Sequence, residues 1–283
     1  MEGMPKLVGQ EGTERGLRTR GLIAEIERQK TSASYTGQIL ADAMLSNRSY
    51  AADLVLDESV ALCRNLPQGK ATSTSGQSVD VQEACNVLAA WDHDMDSDSR
   101  GSLLFSSFWV GAFKGSEAAK VSLWKVPFDA ADPVNTPRTL DTGNPFIAQA
   151  LADAVLELAG TGMALDAAVG EYQYVVRDGR HIPIGGGTDQ LAVMNVITRG
   201  EEPDTDPSNG SGYMHVVELD GNECPTAFTL LSYSQSGDAL SPHHADQTEL
   251  FSEKRWVTER FCESAIQASS ELTTIQLTRP SRD

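Results

Sequence analysis

The stretch from Ser232 to Gln247 reads SYSQSGDALSPHHADQ and lies between segments of different character. Before it, Met214–Leu219 and Thr226–Ser232 alternate apolar and polar side chains, as half-buried strands do. After it, the residues around Leu250 and Phe251 predict a short helix, and Thr273–Leu277 predicts a closing strand. The stretch itself carries many groups that bond to backbone or solvent and few apolar anchors. It therefore predicts a polar loop between a strand pair and a short helix.

The period of the apolar residues changes near residue 166. Downstream, Glu171–Arg177 alternates, Asp178 and Gly179 predict a hairpin turn, and Leu191–Ile197 predicts a further strand. Upstream, apolar residues recur at helical spacing. One predicted helix ends near Gln29. The others span 38–45, 50–63, 81–91, 102–113 and 146–159. The expected class is α/β in the α+β sense, with a mostly helical part over 1–165 and a sheet part over 166–283.

Three motifs carry a family resemblance. One is Ser241-Pro242-His243-His244 with the following Asp-Gln pair. Another is Trp91-Asp92 followed by an acidic loop and Ser99-Arg100-Gly101, and the last is the run from Arg177 through Ile182-Pro183-Ile184 to two glycines. Together they resemble the C-terminal part of the β subunit of the penicillin acylase (penicillin amidase) family, of the acyl-homoserine-lactone and aculeacin type. His244 stands where an aromatic residue is commoner.

The resemblance implies a partial αββα sandwich of the N-terminal nucleophile hydrolases. It also implies a mechanism in which a serine attacks an amide and its own α-amino group acts as the base. Arg15 matches a family arginine near the nucleophile and is the candidate supporting residue, although a basic first turn of a solvated helix would give the same residues. The nucleophile is expected to be absent, because no Gly-Ser-Asn or Gly-Ser-Thr processing junction precedes a strand. The resemblance places the oxyanion asparagine before the arginine-containing helix, so it is expected upstream of Met1.

Two functions follow. The first is the C-terminal portion of an acylase that hydrolyses the linear amide of a penicillin, an acyl-homoserine lactone or a related acyl amide. Its nucleophile would come from a missing upstream portion. The alternative is a catalytically inactive fragment that acts as a structural or binding piece. In either case, the chain alone is expected to be inactive.

Four cysteines are present. Their spacing fits no zinc pattern. Cys63 ends one predicted helix and Cys85 lies in the next, so they form either a disulfide in an oxidising compartment or two buried thiols. Cys224 and Cys262 are interpreted as small packed hydrophobes.

The charge and the apolar runs exclude several partners. A formal net charge of -18 argues against binding nucleic acid or an anionic membrane. No apolar run approaches the length of a membrane span. No metal site is expected from the histidines, and the family's calcium site is not recognisable, so no cofactor is predicted. The family implies a periplasmic or secreted protein; because residues 1–19 lack the apolar core of a signal peptide, any signal is expected upstream.

Overall fold

The computed structural model describes residues 7, 12–30, 35–200, 206–219, 221 and 224–277. Within them the chain is a mixture of helices and small antiparallel sheets, which confirms the expected α+β class. The sheets contain two or three strands each.

Eight helices occur in the described residues. They are α1 (Leu17–Gln29), α2 (Gly37–Met44), α3 (Tyr50–Arg64), α4 (Gln82–Ala90), α5 (Ser102–Ala119), α6 (Pro145–Thr161), α7 (Asp246–Ser252) and α8 (Glu263–Gln267). The helices expected in the first half are therefore confirmed. None of the helices in the described ranges is both long and apolar enough to cross a membrane.

Local chemistry explains where several of these helices begin and end. Thr36 and Ser49 accept hydrogen bonds from the backbone N–H groups of Ile39 and Ala52, which caps α2 and α3. Asn144 caps α6 in the same way, and Pro145 follows it at the first helical position. Gly162 ends α6 in the left-handed conformation, with φ of 76°.

Eleven short strands pair only in antiparallel fashion in the described sheets. They are β1 (Lys70–Thr72), β2 (Ser78–Asp80), β3 (Trp124–Val126), β4 (Arg138–Leu140), β5 (Tyr174–Arg177), β6 (Arg180–Pro183), β7 (Ile197–Thr198), β8 (Asn209–Gly210), β9 (Tyr213–Glu218), β10 (Thr226–Leu231) and β11 (Val257–Thr258). The largest sheet has the order β11-β10-β9. The β5–β6 hairpin turns at Asp178 and Gly179, both with positive φ, as the Asp-Gly signal predicts.

Two hydrophobic cores form. The helical core joins the inner faces of α3–α6 and is centred on Phe105, Phe108 and Trp109, each at most 1% exposed. The sheet core lies under β9, β10 and α7. It consists of Leu45, Val175, Ile184, Ile197, Met214, Leu230 and Phe251.

Two predicted strands are wrong. Residues 191–197 begin with the end of a 3-10 turn, and only Ile197 starts a strand, because side chains bind the carbonyls here: Ser49 Oγ donates to Leu191 O at 2.8 Å. Thr273–Leu277 forms no strand either, and β11 takes the edge of β10 instead. Residues 273–277 are exposed throughout, and without burial or a partner strand their alternation has nothing to stabilise it.

Both cysteine pairs are disulfides. Cys63 and Cys85 join α3 to α4 inside the helical core, with 1% and 3% of their surfaces exposed. Cys224 and Cys262 are also joined, so their interpretation as small packed hydrophobes is wrong. Their residue spacing alone could not show that the chain brings the start of β10 beside the start of α8.

Candidate functional site

A cleft of about 640 Å³ lies beside the first turns of α1, and we refer to it as the α1 cleft. Its apolar lining comes from four separate segments. These side chains are Leu22, Leu40, Met44, Met194, Tyr213 and Met214. One charged pair borders it, with Arg18 Nε 3.8 Å from Asp189 Oδ1. The cleft is therefore an apolar trough whose charge is concentrated near the N-terminus of α1.

Three arginines cluster at this end of α1, and the structure gives them different surroundings. Arg18 donates to the carbonyls of Val193 and Met194, at 3.2 and 2.7 Å. Arg20 is 1% exposed and bonds to two carbonyls of the segment between β3 and β4. Arg15 is half-buried, and no hydrogen bond or ion pair joins its side chain to a residue that the structure describes. It lies next to Gly16, where the lining of the cleft begins.

The segment 188–196, which includes a short 3-10 turn, contributes Asp189 and Met194 to the lining of the cleft. Trp109 Nε1 donates to Gln190 O at 2.9 Å, which fixes this segment from the helical core. Ala192 ends the 3-10 turn in the left-handed conformation, with φ of 58°, and Met194 two residues later lines the cleft. Hydrogen bonds to the carbonyls of Gln190, Val193 and Met194 therefore fix the position of this segment.

A second cleft of about 640 Å³ lies against another face of α1. Its border carries charges that pair with one another. Arg28 contacts Glu25 at 2.6 Å, and Arg48 contacts Asp53 at 2.7 Å. These pairs stabilise the surface and leave the α1 cleft as the better candidate site.

The acidic loop between α4 and α5 is fixed by hydrogen bonds within the chain. Asp92 accepts from the N–H of Asp94, and Asp96 binds both Asn47 and Lys254, at 2.8 and 2.6 Å. Helix α5 begins without a side-chain cap, because Gly101 occupies the N-cap position and makes no capping bond. Arg100 does bind a carbonyl and a carboxylate, those of Asp166 and Glu171. No group of acidic, histidine or cysteine residues in the described ranges is arranged to hold a metal ion.

Asp94 gives this loop a pH dependence. Burial raises the pKa of its carboxyl group, and the nearby negative charge of Asp92 acts in the same direction. A carboxyl whose pKa is higher in the folded state destabilises the fold when ionised, and this penalty is relieved as the pH falls through the folded-state pKa. Its 3.6 Å contact with the half-exposed Arg48 offsets little of the penalty.

We expect Asp94→Asn to be more stable than the unsubstituted chain at pH 7, with the difference shrinking as the pH falls through the raised pKa. Urea midpoints measured between pH 4 and pH 7 test this. Asp57→Asn is the control, because it removes the same charge from an exposed position on α3. Equal effects of the two substitutions would show that net charge, and not the burial of Asp94, is responsible.

Comparison with known proteins assigns the chain. A family model described as penicillin amidase matches residues 2–268, which is most of its length. This chain belongs to the penicillin amidase family. The α1 cleft and the three arginines therefore lie in a penicillin amidase chain.

Two relatives show what this chain is similar to within the penicillin amidase family. Aculeacin-A acylase of Actinoplanes utahensis is 34% identical over 292 aligned residues, covering all of this chain and 35% of the acylase. The acyl-homoserine lactone acylase PvdQ of Pseudomonas syringae pv. syringae (strain B728a) is 31% identical, covering 95% of this chain and 34% of its own. The chain thus spans about a third of the length of these relatives.

A solved structure also aligns with part of this chain. A thermostable penicillin G acylase from Alcaligenes faecalis covers 84% of this chain and 48% of its own, with a TM-score of 0.39 and 15% identity.

Three histidines of this penicillin amidase chain make contacts in its loops. His243 Nδ1 contacts Asp246 at 2.8 Å, and His244 Nδ1 lies 2.9 Å from the carbonyl of Ser236, so both rings make contacts within the loop 232–247. His93 contacts Asp53 at 2.8 Å. These three rings bind carboxylates or a carbonyl, so none of them is joined to a hydroxyl as a base would be to a nucleophile.

The sequence pointed to Arg15 but not to the lining of the cleft. Met44, Met194 and Met214 come from distant segments, and only folding brings them together. The alternation in β9 predicts that Met214 is buried and Tyr213 exposed, but it does not show that both border one cleft.

Proposed function

We propose that this chain is the C-terminal portion of an acylase that hydrolyses a linear amide bond. The substrate class is a penicillin, an acyl-homoserine lactone or a related acyl amide. The serine nucleophile and the oxyanion asparagine come from a companion portion outside this chain. The acylase is periplasmic or secreted. This chain supplies its helical scaffold and the supporting arginine.

Full-length similarity to an acylase carries the proposal. The 34% identity to aculeacin-A acylase extends over the whole chain yet covers 35% of that protein. The relatives are named for acylase activity, one of them on acyl-homoserine lactones. Such a lactone joins its acyl chain to the amine by an amide, so amide hydrolysis is the shared chemistry.

In the proposed reaction, the reacting groups belong to the companion portion, and this chain positions them. The serine Oγ of the companion attacks the amide carbon, and its proton passes to the companion's α-amino group, whose pKa near ~8 suits a base at neutral pH. The carbon–nitrogen bond then breaks, and that proton leaves with the amine. Water hydrolyses the resulting acyl ester and regenerates the serine.

Arg15 is the positioning residue that this chain contributes. Its side chain is half-buried, and no described residue binds it, whereas Arg18 and Arg20 are engaged with carbonyls of their own chain. A guanidinium in this state is available to bind carbonyl or carboxylate groups of the companion portion. Its expected effect is on kcat, through the placement of the nucleophile, more than on KM.

A chimaera tests the function. Residues 1–283 replace the aligned third of aculeacin-A acylase, and hydrolysis of a chromogenic fatty acyl amide is measured. We expect turnover by the chimaera and none by the purified chain alone. Turnover by the chain alone would overturn the assignment of the nucleophile to the companion. A folded chimaera without activity would contradict the acylase function and favour the inactive structural piece.

Substitution of Arg15 in the same chimaera tests its role. Arg15→Ala is expected to lower kcat about 100-fold with a small change in KM, and Arg15→Lys to restore part of it. Arg64→Ala is the matched control, because Arg64 lies exposed in the last turn of α3. Equal kcat values for the two alanine variants would remove Arg15 from the site.

A further inference from the structure

Strand β9 has one unpaired edge. On its other edge it pairs with β10 through six residue pairs, from Glu218 opposite Thr226 to Tyr213 opposite Leu231. The bond from Ser232 N to Gly212 O sets the phase of this ladder. By alternation, Met214 and Val216 direct their backbone groups to β10, and the residues between them direct theirs outward.

The outward groups belong to Tyr213, His215 and Val217. Within the described part of the chain, no hydrogen bond reaches the backbone N–H or C=O groups of these three residues. A strand of six residues is about 20 Å long, which is enough for several ladder bonds. An edge of this kind is a template for another strand.

The side chains at this edge are also incompletely covered. Tyr213 is 59% exposed, Val217 is 45% exposed, and Leu219, just beyond the strand, is 84% exposed. Phe261 is 49% exposed, with its ring centroid 6.3 Å from that of His215. This apolar stripe follows the unpaired edge, and together they mark an interaction surface.

The α1 cleft lies beside the same strand. Tyr213 and Met214 of β9 line it, and so do Leu22 of α1 and Met44 of α2. Methionine side chains adapt to irregular partners. An extended segment along β9 could therefore form a ladder with the edge and direct alternate side chains into the cleft.

We propose that an extended segment of the companion acylase portion adds to β9 as a further strand, with apolar side chains seated in the α1 cleft. This inference rests on the proposed function and names the surface at which the two portions meet. The relatives supply the occupant, because about two-thirds of aculeacin-A acylase has no counterpart here. A second copy of this chain is disfavoured, because each copy carries a formal net charge of -18.

Hydrogen exchange of the chimaera and of the isolated chain tests the docking. We expect the amides of Tyr213, His215 and Val217 to exchange about 100-fold more slowly in the chimaera. Unchanged exchange at these amides in an active chimaera would overturn the docking and leave the proposed function intact. Slow exchange in an inactive chimaera would support the docking while the function fails.

Two variants test the surface, with binding of the separately expressed companion portion of aculeacin-A acylase measured by calorimetry. Val217→Pro removes an outward N–H at an edge position where proline is tolerated. Leu22→Glu places a charge in the cleft. Each is expected to weaken binding about tenfold or more.

Ile26→Glu is the matched control for Leu22→Glu. Both residues lie on α1 and are 38% exposed, but Ile26 does not line the cleft. The Ile26→Glu variant should bind the companion portion as tightly as the unsubstituted chain does. The proposed surface would be overturned if the unsubstituted chain and the three variants bound the companion equally, or if no complex formed. A dimer of the isolated chain with protected β9 amides would also overturn it.

Discussion

Replacing Arg20 by methionine is expected to lower the free energy of unfolding by about 3 kcal/mol. Arg20 is 1% exposed, and its Nε and one terminal nitrogen donate to the carbonyls of Val134 and Pro137, at 2.7 and 2.8 Å. Its guanidinium carbon also lies 6.0 Å from the centroid of the Tyr50 ring. The side chain therefore fastens α1 to both the β3–β4 segment and α3.

Two opposing effects decide the size of this change. Methionine fills the space of the aliphatic stem and relieves the desolvation of a buried cation. It leaves two carbonyls without their donors, and each such buried group costs about 1–3 kcal/mol. The cost of the two unpaired carbonyls dominates, because α1 lies too close to α3 to move and let water reach them. A Cβ on Gly21 would lie only 2.8 Å from Cβ of Tyr50.

Urea unfolding measures the effect. Arg18→Met is the control, because the Arg18 side chain is 47% exposed and also donates to two carbonyls. It should change stability by less than about 1 kcal/mol, since water replaces its bonds. An Arg20→Met protein that unfolds at the midpoint of the unsubstituted chain would show that Arg20 does not hold α1 in place.

Replacing Cys63 and Cys85 together by alanine is expected to destabilise the chain by about 3 kcal/mol. The disulfide closes a loop with a sequence separation of 22, and both sulfurs lie in the helical core. Without it the unfolded chain gains the conformations that the loop excludes, while the folded contacts between α3 and α4 remain. The loss should appear as a lower urea midpoint with the same fold by circular dichroism.

The Cys224–Cys262 pair gives an internal comparison. Its sequence separation of 38 would predict a slightly larger effect from loop entropy alone. However, no residue from 252 to 277 is buried, so this tail can separate from the cores before they unfold. Its double alanine variant should change core stability by less than about 1 kcal/mol and speed hydrogen exchange in α8. Equal losses from the two pairs would mean that the tail unfolds together with the cores.

The sequence predicted elements best where one segment determines its own structure. Helices α2 to α6 follow from their periodicity and from caps such as Thr36, Ser49 and Asn144. The β5–β6 turn follows from Asp178 and Gly179. The strand predictions failed at 191–197, where Ser49 and Trp109 bind the carbonyls of Leu191 and Gln190, and at 273–277, where every residue is exposed.

Residue types and their order determined the family motifs, the main helices, the acidic surface and Arg15 as the candidate supporting residue. Tertiary structure alone decided that Arg20 is buried, that Cys224 meets Cys262, and that three methionines from distant segments share one cleft beside the unpaired edge of β9. Periodicity and capping depend on residues that are close together in the sequence, so the sequence shows them directly. Contacts across a hundred residues depend on how the finished elements pack, which no local pattern records.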